Sequence, residues 1–151
     1  MTGLALFAHA ALADKYAATV ITTEETFLIN DNSVASASPT SKTALMMIIA
    51  PPGSQKHAYR YVHVQVEFDC AGRRVRLIGP VYSGLVDGRL GKEDSPDTWM
   101  DAAPDTKMGA TLAHVCVSGA AATMLQGDYG SPAAAAEFVI SKYVTLGKPA
   151  P

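Results

Sequence analysis

The clearest pattern in the chain is an alternation running from Tyr59 to Cys70. Arg60, Val62, Val64, Val66, Phe68 and Cys70 fall on one side of an extended segment, and Tyr59, Tyr61, His63, Gln65, Glu67 and Asp69 fall on the other. A period of two sustained over this length predicts a strand with one face on a core and one toward water. Cys70 then points inward with the valines. Ala71-Gly72 predicts a tight turn, and Arg73-Arg74-Val75-Arg76-Leu77-Ile78 returns as the partner strand. Its arginines would stand across from Glu67 and Asp69 as charge pairs on a solvated face, a simpler reading than an anion site.

Other segments follow from the same kind of pattern. Tyr16 to Ile29 is rich in Thr, Val, Ile and Phe and predicts two strands divided by a turn at Thr23-Glu24-Glu25. Asn30-Asp31-Asn32-Ser33 is a turn cluster, and Ser36 to Lys42, with Pro39, reads as a loop. Ala44 to Ala50 is continuously apolar and bounded by Pro51-Pro52-Gly53, which predicts a strand buried on both faces, although period alone leaves a helix open. Further on, Pro80-Val81-Tyr82-Ser83 is expected at a sheet edge because proline cannot donate to a central ladder. Gly84 to Asp97 reads as a surface loop, Pro104-Asp105 as a turn, and Leu112 to Val117 as the last strand. Ser131-Pro132 supplies a cap and a first-turn proline for a helix from Ala133 to Val144, with Ala136, Ile140, Tyr143 and Val144 on one stripe. That stripe needs a surface to lie on, so the expected fold class is α+β: an antiparallel β-sheet with a C-terminal α-helix packed on it.

Composition narrows the setting. The 151 residues suit one domain with its own core, and 48% hydrophobic with 17% charged residues is ordinary for a globular protein. A net charge of -2 gives no basic surface for nucleic acid. The apolar run Gly3 to Ala13 is too short to span a bilayer and ends in Ala11-Leu12-Ala13 before the polar Asp14-Lys15. Residues 1–13 therefore read as a signal-peptide remnant lacking a basic start, with an ordinary buried helix as the alternative, and 14–151 as the mature domain. No cysteine lies near the cleavage point, so a lipid anchor is not expected. Two cysteines alone would also suit buried thiols in a reducing compartment. Export instead places Cys70 and Cys116 where they should pair. Closing a loop of that length removes roughly 4 kcal/mol of unfolded-chain entropy.

Candidate chemistry is sparse. None of His9, His57, His63 and His114 has a helical His partner or a cysteine at zinc spacing. No serine sits in a nucleophile elbow, and no phosphate-binding or dinucleotide fingerprint occurs. Asp101 with Asp105, or Glu67 with Asp69, would have to serve as acid and base, and solvated carboxylates are the simpler reading. The expectation is a protein that is not an enzyme and needs no cofactor or metal. Exposed aromatics favour interaction over catalysis, so Tyr59, Tyr61 and His63, with Arg74 and Arg76 on the partner strand, form the candidate interaction surface.

A longer pattern points the same way. Phe27-Leu28-Ile29-Asn30-Asp31-Asn32-Ser33-Val34 precedes a buried strand; Glu67-Phe68-Asp69-Cys70 follows with Arg74-Val75-Arg76; then come Tyr82, Trp99, Pro104-Asp105-Thr106 and Val115-Cys116. From about Thr26 to Cys116 this order resembles the surface-adhesin protein E family of Gram-negative bacteria, with Pro104-Asp105-Thr106 in place of a Pro-Gly-Ser-like turn. The resemblance implies an antiparallel sheet with a flanking C-terminal helix, an exported location and a disulfide between Cys70 and Cys116. Its function would be that of a non-enzymatic binding module, periplasmic, secreted or on the cell surface, whose partner is a protein such as a host matrix protein. A structural accessory subunit of an envelope complex, docking through a sheet edge or through Tyr59 and Tyr61, is the alternative.

Overall fold

The structure is a computed structural model that describes residues 15–22, 24–50, 58–117, 123–125 and 132–146. The expected signal segment, Pro51-Pro52-Gly53, His57 and the Ser131 cap lie outside the described residues, as do the side chains of Tyr143 and Val144. In chain order the elements are β1 (Tyr16–Ile21), β2 (Thr26–Asn30), a 3-10 turn (Asp31–Ser33), β3 (Ala35–Ser38), β4 (Ser41–Ile49), β5 (Tyr59–Asp69), β6 (Arg74–Leu85), β7 (Leu90–Asp94), β8 (Met100–Asp101), α1 (Lys107–Cys116), β9 (Thr123–Leu125) and α2 (Pro132–Leu146). Among the described residues every strand pairing is antiparallel. The sheet runs β7-β6-β5-β4-β2-β1-β9, with β3 paired to β4 and β8 to β6.

Among the described residues two hydrophobic clusters form, and each engages one helix. The first joins Phe27, Ile29, Ala44, Met46, Val64, Val66, Phe68 and Val75 to Leu112 and Val115 of α1. The second joins Tyr16, Ala18, Leu28, Met47 and Ile49 to Ala135, Ala136 and Val139 of α2. Neighbours along β4 thus divide between the clusters, Met46 to one and Met47 to the other, as a strand buried on both faces requires. The small Ala135 and Ala136 let α2 sit close to the sheet. The α+β class, the C-terminal helix, the β1–β2 division and the Cys70–Cys116 disulfide all match the sequence expectation.

Four segments differ from it. Ser36 to Lys42 is a hairpin between β3 and β4 rather than a loop. The side chain of Ser38 accepts from the backbone of Thr40 and Ser41 and so builds the turn, while every β3 residue is exposed and leaves no apolar alternation to read. Half of Gly84 to Asp97 is strand rather than loop, because β6 continues to Leu85 and turns through Gly88, at φ 86, into β7. Pro80 accordingly lies inside the sheet. Between its pairings with His63 and Gln65 of β5, β6 carries extra residues at Gly79-Pro80-Val81, with Gly79 at φ 73, and this bulge absorbs the missing proline donor. Finally, Leu112 to Val117 is not a strand but belongs mostly to α1.

The start of α1 explains that difference. Thr106 is its N-cap, with the side-chain oxygen accepting from the Gly109 amide at 3.0 Å. Buried Thr111, Leu112 and Val115 recur at helical spacing, a period that the apolar run 112–117 is too short to display. At the other end Lys42 donates to the Val115 carbonyl at 3.1 Å, where a cation suits the helix C-terminus. Cys116, the last residue of α1, bonds Cys70 just past the end of β5, with the two Cα atoms 5.6 Å apart.

Two stability measurements follow from this arrangement. Cys70→Ala with Cys116→Ala should cost about 2–4 kcal/mol in denaturant unfolding and lower the melting temperature by about 10 °C. Gly109→Ala, which helix propensity alone would favour, should instead destabilise by about 1–3 kcal/mol, because a Cβ there would collide with the Ala103 carbonyl.

Candidate interaction face

The face of β5 and β6 that carries Tyr61, His63, Gln65, Glu67 and Asp69 runs out beyond the cover of α2. Register places His63 opposite Tyr82, Gln65 opposite Ile78, Glu67 opposite Arg76 and Asp69 opposite Arg74. The result is one continuous strip with an aromatic end and a charged end.

At the aromatic end Tyr61 crosses onto β6 over Gly84, whose absent side chain leaves the room its ring occupies. The Tyr61 and His63 rings are 6.5 Å apart with planes 22° from parallel, and the His63 and Tyr82 rings are 5.1 Å and 18° apart. Lys92 of β7 places its Nζ 5.8 Å from the Tyr82 centroid and ends the row. Tyr61 is anchored against the second cluster, whereas Tyr82 is 39% exposed. Half-buried His63 has its pKa pushed below the ordinary 6.5 by burial, and its Nδ1 is buried without a hydrogen-bond partner. It is therefore a neutral ring at pH 7.

At the charged end each arginine is held between carboxylate and ring. Arg74 meets Asp69 at 2.7 Å, and Arg76 meets Glu67 at 2.6 Å and Asp97 at 3.4 Å. Both guanidinium groups lie against Trp99, at 5.1 Å for Arg74 and 4.8 Å for Arg76 from the ring centroid. Glu67 also accepts from Ser41, and Asp69 accepts from the Gly72 amide in the β5–β6 turn. The arginines thus form the expected cross-strand pairs, and their charge is compensated. Glu67 and Asp69 are held by the same contacts. The hydrogen bond from Arg74, together with those from the turn amides, holds the Asp69 pKa below 3.8.

Of the residues singled out in the sequence, the structure brings Tyr61, His63, Arg74 and Arg76 onto this strip. Tyr59 stands apart. An irregularity in the β5–β6 pairing falls between Tyr59 and Tyr61, and Tyr59 comes under the influence of Glu25, whose carboxylate pairs with Lys107 of α1. Arg60, expected with the valines, instead pairs with Glu137 of α2. Tyr82, Lys92, Asp97 and Trp99 belong to the strip and were not among the sequence candidates. The Gly79-Pro80 bulge conceals the alignment of Tyr82 with His63, while Trp99 was visible only within the order of motifs that carries the family resemblance. His114 is remote from the strip in sequence and is bonded to Asp31 at 2.8 Å. Among the described residues no group of three or more His, Cys, Asp or Glu could hold a metal ion, and no helix is long and apolar enough to cross a membrane.

This strip, the strands of the first cluster and the disulfide fall within one matched region. The family model for surface-adhesin protein E covers residues 18–117, most of β1 through the end of α1. The chain belongs to the surface-adhesin protein E family. Comparison with curated proteins returns no match. Membership agrees with the order of motifs from Thr26 to Cys116 and supports an adhesin-like, non-catalytic role at a surface or outside the cell.

Titration of the strip has two signs that can be measured. Asp69 has a depressed folded pKa, so its contribution to stability is present above about pH 4 and is lost as pH falls through the folded value. In Arg74→Ala the Asp69 pKa, followed by NMR, should rise toward 3.8 and that acid-induced loss should shrink. His63 works in a higher window: because its folded pKa is lowered, stability declines as pH falls below about 6.5 and the unfolded chain takes up the proton first. His63→Phe should flatten the stability profile as pH falls below about 6.5.

Proposed function

We propose that this domain is a non-enzymatic, exported binding module that engages a protein partner through the strip from Tyr61 to Trp99. The supporting observation is Trp99 braced by two arginines whose charges are already balanced. Tryptophan, tyrosine and arginine are the side chains that most often dominate binding energy. Here Tyr61, Tyr82, Arg74 and Arg76 stand on paired strands and Trp99, in the segment between β7 and β8, lies against both guanidinium groups, so little conformational freedom is lost on docking. The compensated charges favour a mixed apolar and polar protein surface over a simple anion. Family membership makes host matrix proteins the natural partners to try, and the apolar leader at residues 1–13 fits a periplasmic, secreted or surface location.

The test is surface plasmon resonance against laminin and vitronectin. Saturable binding is expected, weakened about tenfold or more in Trp99→Ala and in Tyr82→Ala, consistent with the cost of losing a hot-spot side chain. Asp105→Asn, in the exposed turn before α1, should leave it unchanged. Absence of saturable binding to either protein would remove the matrix-adhesin reading. Equal binding by the folded Trp99 and Tyr82 variants would remove the strip from it.

A further inference from the structure

The sheet ends on β7, and among the described residues no strand pairs with its outer side. The direction of its free backbone groups follows from the hairpin. Leu85 N–H donates to the Arg89 carbonyl at 2.8 Å, in the same register that pairs Gly84 with Leu90 and Ser83 with Gly91. Hydrogen-bonded and non-hydrogen-bonded pairs alternate in an antiparallel ladder. Gly91 and Glu93 therefore bond inward to β6, and the N–H and C=O groups of Leu90, Lys92 and Asp94 point outward. Pro80 opposite Asp94 agrees with this assignment, since its missing donor falls at a pair that needs none.

The same margin gathers exposed apolar side chains. Leu90 is 82% exposed and Val86 60%, both in the β6–β7 hairpin, and the exposed Tyr82 lies on β6 opposite Lys92. A second copy of the chain is a poor occupant. A two-fold antiparallel pairing of β7 with itself that keeps the sheet faces continuous sets Lys92 against Lys92 or Glu93 against Glu93. The remaining register, centred on Gly91, overlaps only briefly. Charges at such positions are a common guard against edge-to-edge aggregation.

We propose that the β7 edge is a docking site for an extended segment of a protein partner, which adds to the sheet as an antiparallel strand. Main-chain groups of Leu90, Lys92 and Asp94 supply the hydrogen bonds, and the charges that block self-pairing select the sequence. The fitting strand carries an apolar residue opposite Leu90, a carboxylate opposite Lys92, and basic residues opposite Glu93 and Asp94. This site adjoins the strip around Trp99 and shares Lys92 with it, and the two readings fail separately: Trp99→Ala weakens binding through the strip and leaves the amide exchange of Leu90, Lys92 and Asp94 unchanged, whereas that exchange reports on the edge.

The experiment is residue-resolved amide exchange on the full chain, with its disulfide intact. The probe is the blocked peptide Thr-Lys-Arg-Glu-Thr-Val-Thr at millimolar concentration, and the control is its charge-reversed form Thr-Glu-Glu-Lys-Thr-Val-Thr. In the free protein Leu90, Lys92 and Asp94 should exchange quickly and Gly91 and Glu93 slowly. The probe should slow the first three about threefold or more, while the control should not. Lys92→Pro removes an outward donor without touching a bond to β6, so the fold should persist and the response should vanish. Slow exchange at the three outward amides without peptide would mean the edge is already occupied and would overturn the proposal. So would no slowing by the probe, equal slowing by the control, or an unchanged response in Lys92→Pro.

Discussion

The bond between Cys70 and Cys116 ties the end of α1 to the end of β5, and the rest of the architecture depends on that tie. It clamps Leu112 and Val115 over Val64, Val66 and Phe68, which makes that side of β5 a core. A strand has only two sides, so the alternate residues of β5 are left for the opposite face. There α2 covers the region around Tyr61, and the remainder, from His63 to Asp69, is available for other work. A covalent link of sequence separation 46 also restricts the unfolded chain, which supports a modest core shared between two faces.

What the open part of that face does with charge is its most informative property. Three arginines close together in sequence suggest an attraction for anions, yet Arg74 and Arg76 are each satisfied by a carboxylate one strand away. Partly exposed ion pairs contribute little net stability. Their consequence here is geometric, because two planar guanidinium groups fixed by carboxylates hold one indole in place. The aromatic end is organised by a different rule. Gly84 leaves a gap across the strand from Tyr61, and the Tyr61, His63 and Tyr82 rings stand in a row with nearly parallel planes. An anchoring ring at each end of a rigid strip suits recognition of a surface better than transformation of a small molecule.

How much of this was legible depended on whether a segment's partner was local. β5 announced itself because its period of two spans eleven residues, and the pairing of Arg74 and Arg76 with Asp69 and Glu67 followed from the short turn that joins the two strands. The helix at Pro132 was legible from its first-turn proline and its apolar stripe. By contrast, α1 was hidden, since its N-cap Thr106 lies before a stretch containing Gly109 and its apolar positions include Thr111. β3 and β7 were hidden for the opposite reason. Their residues are largely exposed, so no burial pattern is imposed on them, and only hydrogen bonds to β4 and β6 make them strands.

The amino-acid order alone determined the class of fold, the alternation that splits β5 into two unlike sides, the pairing of the two cysteines and the family. These rest on short-range periodicity and on residues that have few alternatives. The tertiary structure alone decided that Trp99 meets both arginines, that Tyr82 aligns with His63, and that Tyr59 does not share their row. Each of those outcomes turns on an irregularity in pairing or a contact across strands, and neither is encoded by the spacing of residues within a single segment.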